Sequence, residues 1–335
     1  MRILIVKLSS LGDVIQTMAV VPDLLAVVPN AEIDWVVEEA FAPLVSLVSG
    51  VRAVIPIGQR RWRKSFFSAP TRAERRAFHS RLRQDAYDAV IDFQGLIKSA
   101  WVARAARLQP GGFSATYANG SDACSYEWPV HYLLQRSFPM PRRIHAVARY
   151  RLLAAQALGY SGQALHMPAR CGWNFDLHTA APKAPPEVVL AHGTTRSDNE
   201  WPDAHWLDLA RQLITDGFSV GLPHAGAREL VRVKALADQL GSMACVWPSQ
   251  SLDALARRMA ASAGVIGVDS GLSHLAVALD LPHVQIFSQD RAWRAGPVGR
   301  DYQRVVGGAQ APDVAQVLDT WQAAIASSHV GRVRP

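Results

Sequence analysis

Two successive series of short apolar runs, each followed by helix-like periodicity, constrain this chain more than any other feature. The first series is Arg2 to Lys7, Ile33 to Val37, Ala53 to Ile57 and Ala89 to Phe93; the second is Val188 to His192, Phe218 to Leu222, Gly264 to Val268 and His283 to Phe287. Unbroken apolar strands need cover on both faces, which a parallel sheet with crossover helices supplies. Between the series lies the segment from His178 to Pro186, whose prolines at 182, 185 and 186 forbid regular helix and disfavour a central strand. The expected organisation is therefore a doubly wound α/β domain over 1–177, a linker over 178–186 and a second α/β domain over 187–311. A helix over 312–327, carrying Val314, Val317, Leu318, Trp321 and Ile325 at helical spacing, is expected to pack back on the first domain. At 335 residues the chain has the length for two such cores. Two open α/β domains facing each other would form a cleft at the carboxyl ends of their strands.

Several classes fall away. The longest apolar stretch, Met18 to Val28, is interrupted by Pro22 and Asp23, short of the roughly 18 apolar residues of a spanning helix. The amino terminus meets Lys7 and Asp13 before any adequate signal-peptide core, so a cytoplasmic protein is expected. Cys124, Cys171 and Cys245 are scattered, which indicates neither a disulfide framework nor a zinc site; ordinary buried thiols are expected. No Gly-x-Gly-x-x-Gly, Walker A or His-Glu-x-x-His pattern occurs, which weakens nicotinamide, P-loop and metalloprotease readings.

Charge is concentrated. The chain carries a net +7, yet Arg60 to Arg83 alone holds nine cations against Glu74. Arg60-Arg61-Trp62-Arg63-Lys64, followed by Phe66 and Phe67, interleaves cations with aromatics. Thr71-x-x-Glu74 reads as a capping box opening a helix with Arg72, Arg75, Arg76, His79 and Arg83 on one face and Phe78 and Leu82 on another. Such a block suits a multiply anionic ligand, a membrane headgroup layer or a nucleic acid.

Three constellations could carry chemistry. Asp13 follows Gly12 at a strand-to-helix turn, where a carboxylate serves equally as a general base or as a helix cap. Val268-Asp269-Ser270-Gly271-Leu272-Ser273-His274 ends a strand and opens a helix whose free N–H groups could hold a phosphate. Ser270 and His274 lie outside any Gly-x-Ser-x-Gly elbow, so nucleophilic catalysis is not expected. The loop from His192 to Pro202 gathers hydroxyls, amides and Arg196, a set suited to a phosphorylated sugar. An enzyme, a basic nucleic-acid-binding protein and a two-lobed binding protein without chemistry all remain open on these features.

Five segments together resemble the lipopolysaccharide heptosyltransferases: Ile5 to Asp13, Asp34 to Glu39, Arg60 to Lys64, Asp92 to Ala100, and Asp269 to His274. The Trp35 and Arg60 segments are most similar to type I members. The resemblance implies a GT-B fold, two Rossmann-like doubly wound parallel-sheet domains facing a central cleft. It implies inverting, metal-independent transfer of L-glycero-D-manno-heptose from ADP-heptose to the first Kdo of Kdo2-lipid A. It makes Asp13 the base; a related transferase adding a later heptose, or using another nucleotide sugar, is the alternative. Donor contacts are implied for Thr194, Thr195, Arg196, Asn199, Glu229, Asp269, Ser270, Gly271 and His274, and acceptor contacts for Arg60, Arg61, Arg63, Lys64 and Gln94. No cofactor and no metal are expected, ADP-heptose being a substrate. The expected partners are ADP-heptose, Kdo2-lipid A and, peripherally, the anionic inner face of the cytoplasmic membrane, with no nucleic acid. Two departures stand out. Asn199 occupies the place of a family lysine, where Arg196 could compensate, and Ser288-Gln289-Asp290-Arg291 replaces a Gly-Pro-Thr-Asp-Pro loop, where Arg291 or Arg294 could return positive charge.

Overall fold

The computed structural model describes residues 1–65, 67–122, 124–160, 170–177 and 185–332. The chain divides into two compact units, Met1–Phe175 and Asp176–Pro335. The expected linker falls at 178–186, of which 178–184 lie outside the described residues, as does Phe66.

The first unit holds a six-stranded parallel sheet of β1 (Arg2–Val6), β2 (Glu32–Glu38), β3 (Val51–Ile57), β4 (Ala86–Asp92), β5 (Arg107–Tyr117) and β6 (Arg136–Phe138). Its spatial order is β3-β2-β1-β4-β5-β6. The central position of β1 follows from its sequence: Ile3, Leu4, Ile5 and Val6 are wholly buried, and each such side chain stabilises the fold by roughly 1.5–3 kcal/mol. The second unit repeats the plan with β7 (Glu187–Ala191), β8 (Ser219–Leu222), β9 (Ala244–Val246), β10 (Gly264–Val268), β11 (His283–Phe287) and β12 (Gln303–Gly307), ordered β12-β11-β10-β7-β8-β9. In both sheets the strand order reverses beside the first strand, at β1/β4 and at β7/β10. The carboxyl ends of those strand pairs are where doubly wound sheets take their ligands.

Three expectations need correction. The terminal helix, Val314–Arg332, expected on the first domain, places Val317, Trp321 and Ala324 in the core of the second unit beside Val284 and Ile286. Its apolar stripe fits the sheet it follows directly, where the Trp321 ring meets Phe218 edge-on at 6.1 Å. The basic helix runs over Ala69–Gln84 and is capped by Ser68, whose Oγ accepts from the Thr71 N–H at 3.2 Å. Pro70, needing no N–H partner, occupies its first turn, so Thr71 lies inside the helix and the expected capping box does not form. Finally, Cys245, on the edge strand β9, is exposed, and the other two cysteines are partly so.

Candidate active site

Each unit gathers its candidate residues at its own switch point. In the first, the turn leaving β1 leads into the Leu11–Thr17 helix, with Ser10 as cap and Asp13 at the third helical position. Asp13 is therefore not the cap itself. Its Oδ2 accepts from the Ser10 N–H at 3.1 Å and the Ser10 hydroxyl at 2.7 Å, while Oδ1 accepts from the Tyr150 hydroxyl at 2.9 Å. The Lys7 ammonium lies 4.0 Å from Oδ1 and is itself buried, donating to Tyr150 Oη at 3.2 Å and to the Phe93 carbonyl at 3.3 Å. Burial opposes ionisation of Asp13, but the Lys7 charge and the hydrogen bonds from Ser10 and Tyr150 outweigh it and hold the carboxyl down at about 2. With 34% of its side chain open to solvent, the carboxylate is both ionised and reachable.

A second chain of contacts fixes the turn that carries Asp13. Gln94 Oε1, just past β4, accepts from the backbone N–H groups of Leu8 and Ser9 at 3.0 and 3.1 Å. The turn bearing Gln94 is held in turn by Asp92, whose Oδ1 accepts from the Gln94 and Gly95 N–H groups and whose Oδ2 accepts from Ser99 Oγ. The carbonyl oxygen of Gln94, a residue expected to meet the acceptor, is taken up in bracing the two switch-point turns.

The basic block divides. Arg60 and Arg63 are exposed, as is Lys64, and the Arg60 guanidinium lies over the Phe41 ring at 5.5 Å. Arg61 clasps Glu39 through Nε and Nη2, both at 2.9 Å, and reaches Glu74 at 2.8 Å. Glu74 also accepts from the Trp62 indole at 2.7 Å, so Arg61 serves to tie the helix Ala69–Gln84 to the turn after β2.

In the second unit a cavity of about 520 Å³ opens beside the carboxyl end of β7, lined by Gly193, Thr194, Trp201, Arg228, Glu229 and Arg232 among others. Gly193 lets the Glu229 carboxylate come close: a Cβ would stand 2.7 Å from it and push that side chain aside. That carboxylate is oriented by the Ala225 N–H at 2.7 Å. Thr194 Oγ1 donates to the Asp269 carbonyl at 3.4 Å, linking the β7 and β10 turns across the switch point. Asn199 is buried, its amide donating to the Asp269 carbonyl and carboxylate at 3.4 Å. Asp269 also accepts from Gln285 at 3.1 Å and lies 3.4 Å from the His274 imidazole. Burial favours its neutral form, but His274, Arg294 and Arg291 prevail and lower its pKa.

Ser270 caps the Gly271–Ala278 helix in an extended conformation without using its side chain. Among the described residues, buried Ser270 Oγ, Ser288 Oγ and Arg291 Nη1 all lack a partner. They follow neighbouring strands, Ser270 after β10 and Ser288 and Arg291 after β11, and Val268 pairs with Ile286 in the sheet. Unpaired donors beside a helix amino terminus are what a phosphate needs. Arg196 is bound to Asp198 at 2.9 Å, whereas Arg291 gives Asp198 a single nitrogen at 3.1 Å. Thr195 is exposed. Among the described residues no group of three His, Cys, Asp or Glu side chains could hold a metal ion.

Residues 75–319 match the profile of glycosyltransferase family 9 (heptosyltransferase). The chain belongs to that family. It is 39% identical over 302 residues to lipopolysaccharide heptosyltransferase 1 of Escherichia coli strain K12, covering 90% of this chain and 92% of that protein. The structure of the E. coli heptosyltransferase WaaC with ADP superimposes with a TM-score of 0.81 at 35% identity over 99% of both chains. WaaC with ADP-2-deoxy-2-fluoro heptose gives 0.78, covering both chains in full. The two doubly wound sheets are thus those of a GT-B-type glycosyltransferase.

Sequence reasoning missed Lys7, Tyr150 and Asp92 as the supports of Asp13 and its turn. Lys7 carried a signal, a cation ending an otherwise apolar strand. Tyr150 carried none, since 137 residues separate it from Asp13.

Proposed function

We propose that this family 9 member transfers L-glycero-D-manno-heptose from ADP-heptose to the first Kdo of Kdo2-lipid A, with inversion and without a metal. The observation that carries the reading is the ionised, solvent-reached Asp13 carboxylate at the first switch point. An acceptor hydroxyl is a poor nucleophile. As its oxygen bonds to the anomeric carbon, its proton passes to Asp13 and the bond from that carbon to the β-phosphate oxygen breaks, releasing ADP. One such displacement inverts the anomeric centre. Acceptor docking strips water from Asp13 and raises its proton affinity as the proton arrives. The negative charge developing on ADP meets Ser270, the Gly271 helix end and the unpaired Arg291 nitrogen. Glu229, in the cavity wall, suits the ribose hydroxyls. Arg60, Arg63 and Lys64 suit acceptor carboxylates and phosphates, and the exposed Arg72, Arg76 and Arg83 suit an anionic membrane surface. The enzyme on this reading works in the cytoplasm, peripherally at the inner face of the membrane; no helix among the described residues is long and apolar enough to cross it.

The test is ADP release measured across nucleotide sugars with Kdo2-lipid A present or absent. Release restricted to ADP-heptose plus that acceptor supports the proposal. Equal release from other sugars, or from heptosylated acceptors alone, overturns it.

A further inference from the structure

Beside the first switch point, four large apolar side chains face solvent: Ile97 at 38% exposure, Trp101 at 57%, Trp128 at 67% and Tyr132 at 72%. They sit on two segments that are held side by side. Ile97 and Trp101 lie one turn apart on the Ile97–Ala105 helix, which begins directly after the Gln94-Gly95 turn. The Ile97 N–H donates to Glu127 Oε2 at 2.6 Å, which pins the segment bearing Trp128 to that helix's first turn. The Trp128 and Tyr132 rings meet edge-on at 6.1 Å. The inner faces of the same two segments are already in the core, through Ala100, Ala103 and Val130. Packing therefore leaves the outward aromatics unexplained, and a contiguous exposed apolar patch of this kind marks a docking surface.

Its rim is cationic. Arg104 lies over the Trp101 ring at 6.0 Å, and the half-buried Lys98, beside Trp101 on the helix surface, lies within the electrostatic reach of Arg63 and Arg60. The basic helix Ala69–Gln84 packs against the Ile97–Ala105 helix, which continues the positive surface. Tryptophan and tyrosine bordered by lysine and arginine match the headgroup layer of a bilayer, where rings sit among glycerol groups and cations meet lipid phosphates. We propose that Ile97, Trp101, Trp128 and Tyr132, rimmed by Lys98 and Arg104, form the surface by which this enzyme inserts into an anionic phospholipid membrane. The proposal deepens the acceptor reading above and rests on it for its purpose: a lipid-anchored acceptor would reach the Gln94 end of the sheet along the face that the patch presents.

The experiment sediments the full chain with vesicles of phosphatidylethanolamine and phosphatidylglycerol, without acceptor, and compares the triple variant Trp101→Ala, Trp128→Ala, Tyr132→Ala. Partitioning should fall at least about tenfold in the variant, since each ring removes a large buried area. Brominated acyl chains should quench wild-type tryptophan fluorescence more than that of the variant. Replacing phosphatidylglycerol by phosphatidylcholine should weaken wild-type binding as well. Unchanged partitioning of the folded variant overturns the proposal. So does a self-association, seen by sedimentation velocity, that the variant abolishes while vesicle binding persists. Trp101→Gln with Trp128→Gln repeats the test if the triple variant folds poorly. ADP release with a deacylated, water-soluble Kdo acceptor, run in parallel, should be the same in all these variants. Its absence in the wild type would defeat the acceptor reading, while vesicle partitioning would still decide the docking surface.

Discussion

Replacing Asp92 by asparagine should make the protein's stability less dependent on pH, in a direction the structure dictates. Asp92 is wholly buried, and burial pushes its pKa up to about 6 against the hydrogen bonds from Gln94, Ser99 and Gly95. The folded value thus lies above the unfolded one, so the native state binds this proton more tightly than the unfolded chain does. Stability is then highest below about pH 4 as far as Asp92 is concerned, declines as pH rises to about 6 and is level above it. The gap corresponds to roughly 2–3 kcal/mol at neutral pH. In Asp92→Asn the amide oxygen still accepts from the Gln94 and Gly95 N–H groups. The new NH2 faces Ser99 Oγ, which can turn its single hydrogen to the Leu96 carbonyl at 2.8 Å and accept instead. Thermal unfolding of wild type and variant, followed side by side between about pH 4 and pH 7, isolates the effect from other titrating groups. The difference in Tm should grow in the variant's favour by about 5 °C or more over that range. A difference that stays constant with pH would refute the assignment of the raised pKa to Asp92.

Three further predictions concern the site. Lys7→Met removes the charge that does most to hold Asp13 at about 2, so the acid limb of kcat/KM should move from below the measurable range to higher pH; an unmoved profile would contradict the role given to Lys7. Arg291→Ala should weaken ADP binding about tenfold by calorimetry, and Arg196→Ala should weaken it less, because Arg196 is already committed to Asp198 through two nitrogens. Arg61→Ala should lower the Tm while changing the KM for acceptor less than Arg60→Ala or Arg63→Ala does, an ordering that steady-state kinetics on the three variants would check.

The doubly wound plan was legible because its central strands, β1, β4, β7 and β10, are buried on both faces and so must be continuously apolar. The strands that escaped notice, β5, β6, β9 and β12, all lie away from the sheet centres. β5 contains Pro110, Gly111 and Gly112, which read as loop, and β6 and β9 are three residues long. The place of Asp13 at the first turn was also visible, although a general base and a helix cap look alike there and the resemblance to the family, not the local residues, chose between them. What sets its ionisation was only partly visible: Lys7 stands in the same segment, but Tyr150 arrives from a helix far along the chain. The same cause hid the ion pairs of Arg61: its partners Glu39 and Glu74 lie 22 residues before and 13 after it, so locally it looked like one more free cation. Helix starts depend on single caps, and Thr71 with Glu74 imitated a capping box that Ser68 supplanted.

Everything in the proposed mechanism turns on whether one carboxylate accepts a proton from the acceptor. Asp13→Asn keeps the shape of the side chain and an oxygen for the Ser10 N–H while abolishing its basicity. Steady-state ADP release from ADP-heptose with Kdo2-lipid A should fall about 10²- to 10⁴-fold in that variant, with ADP affinity within about twofold of wild type. Turnover close to the wild-type rate would contradict the account.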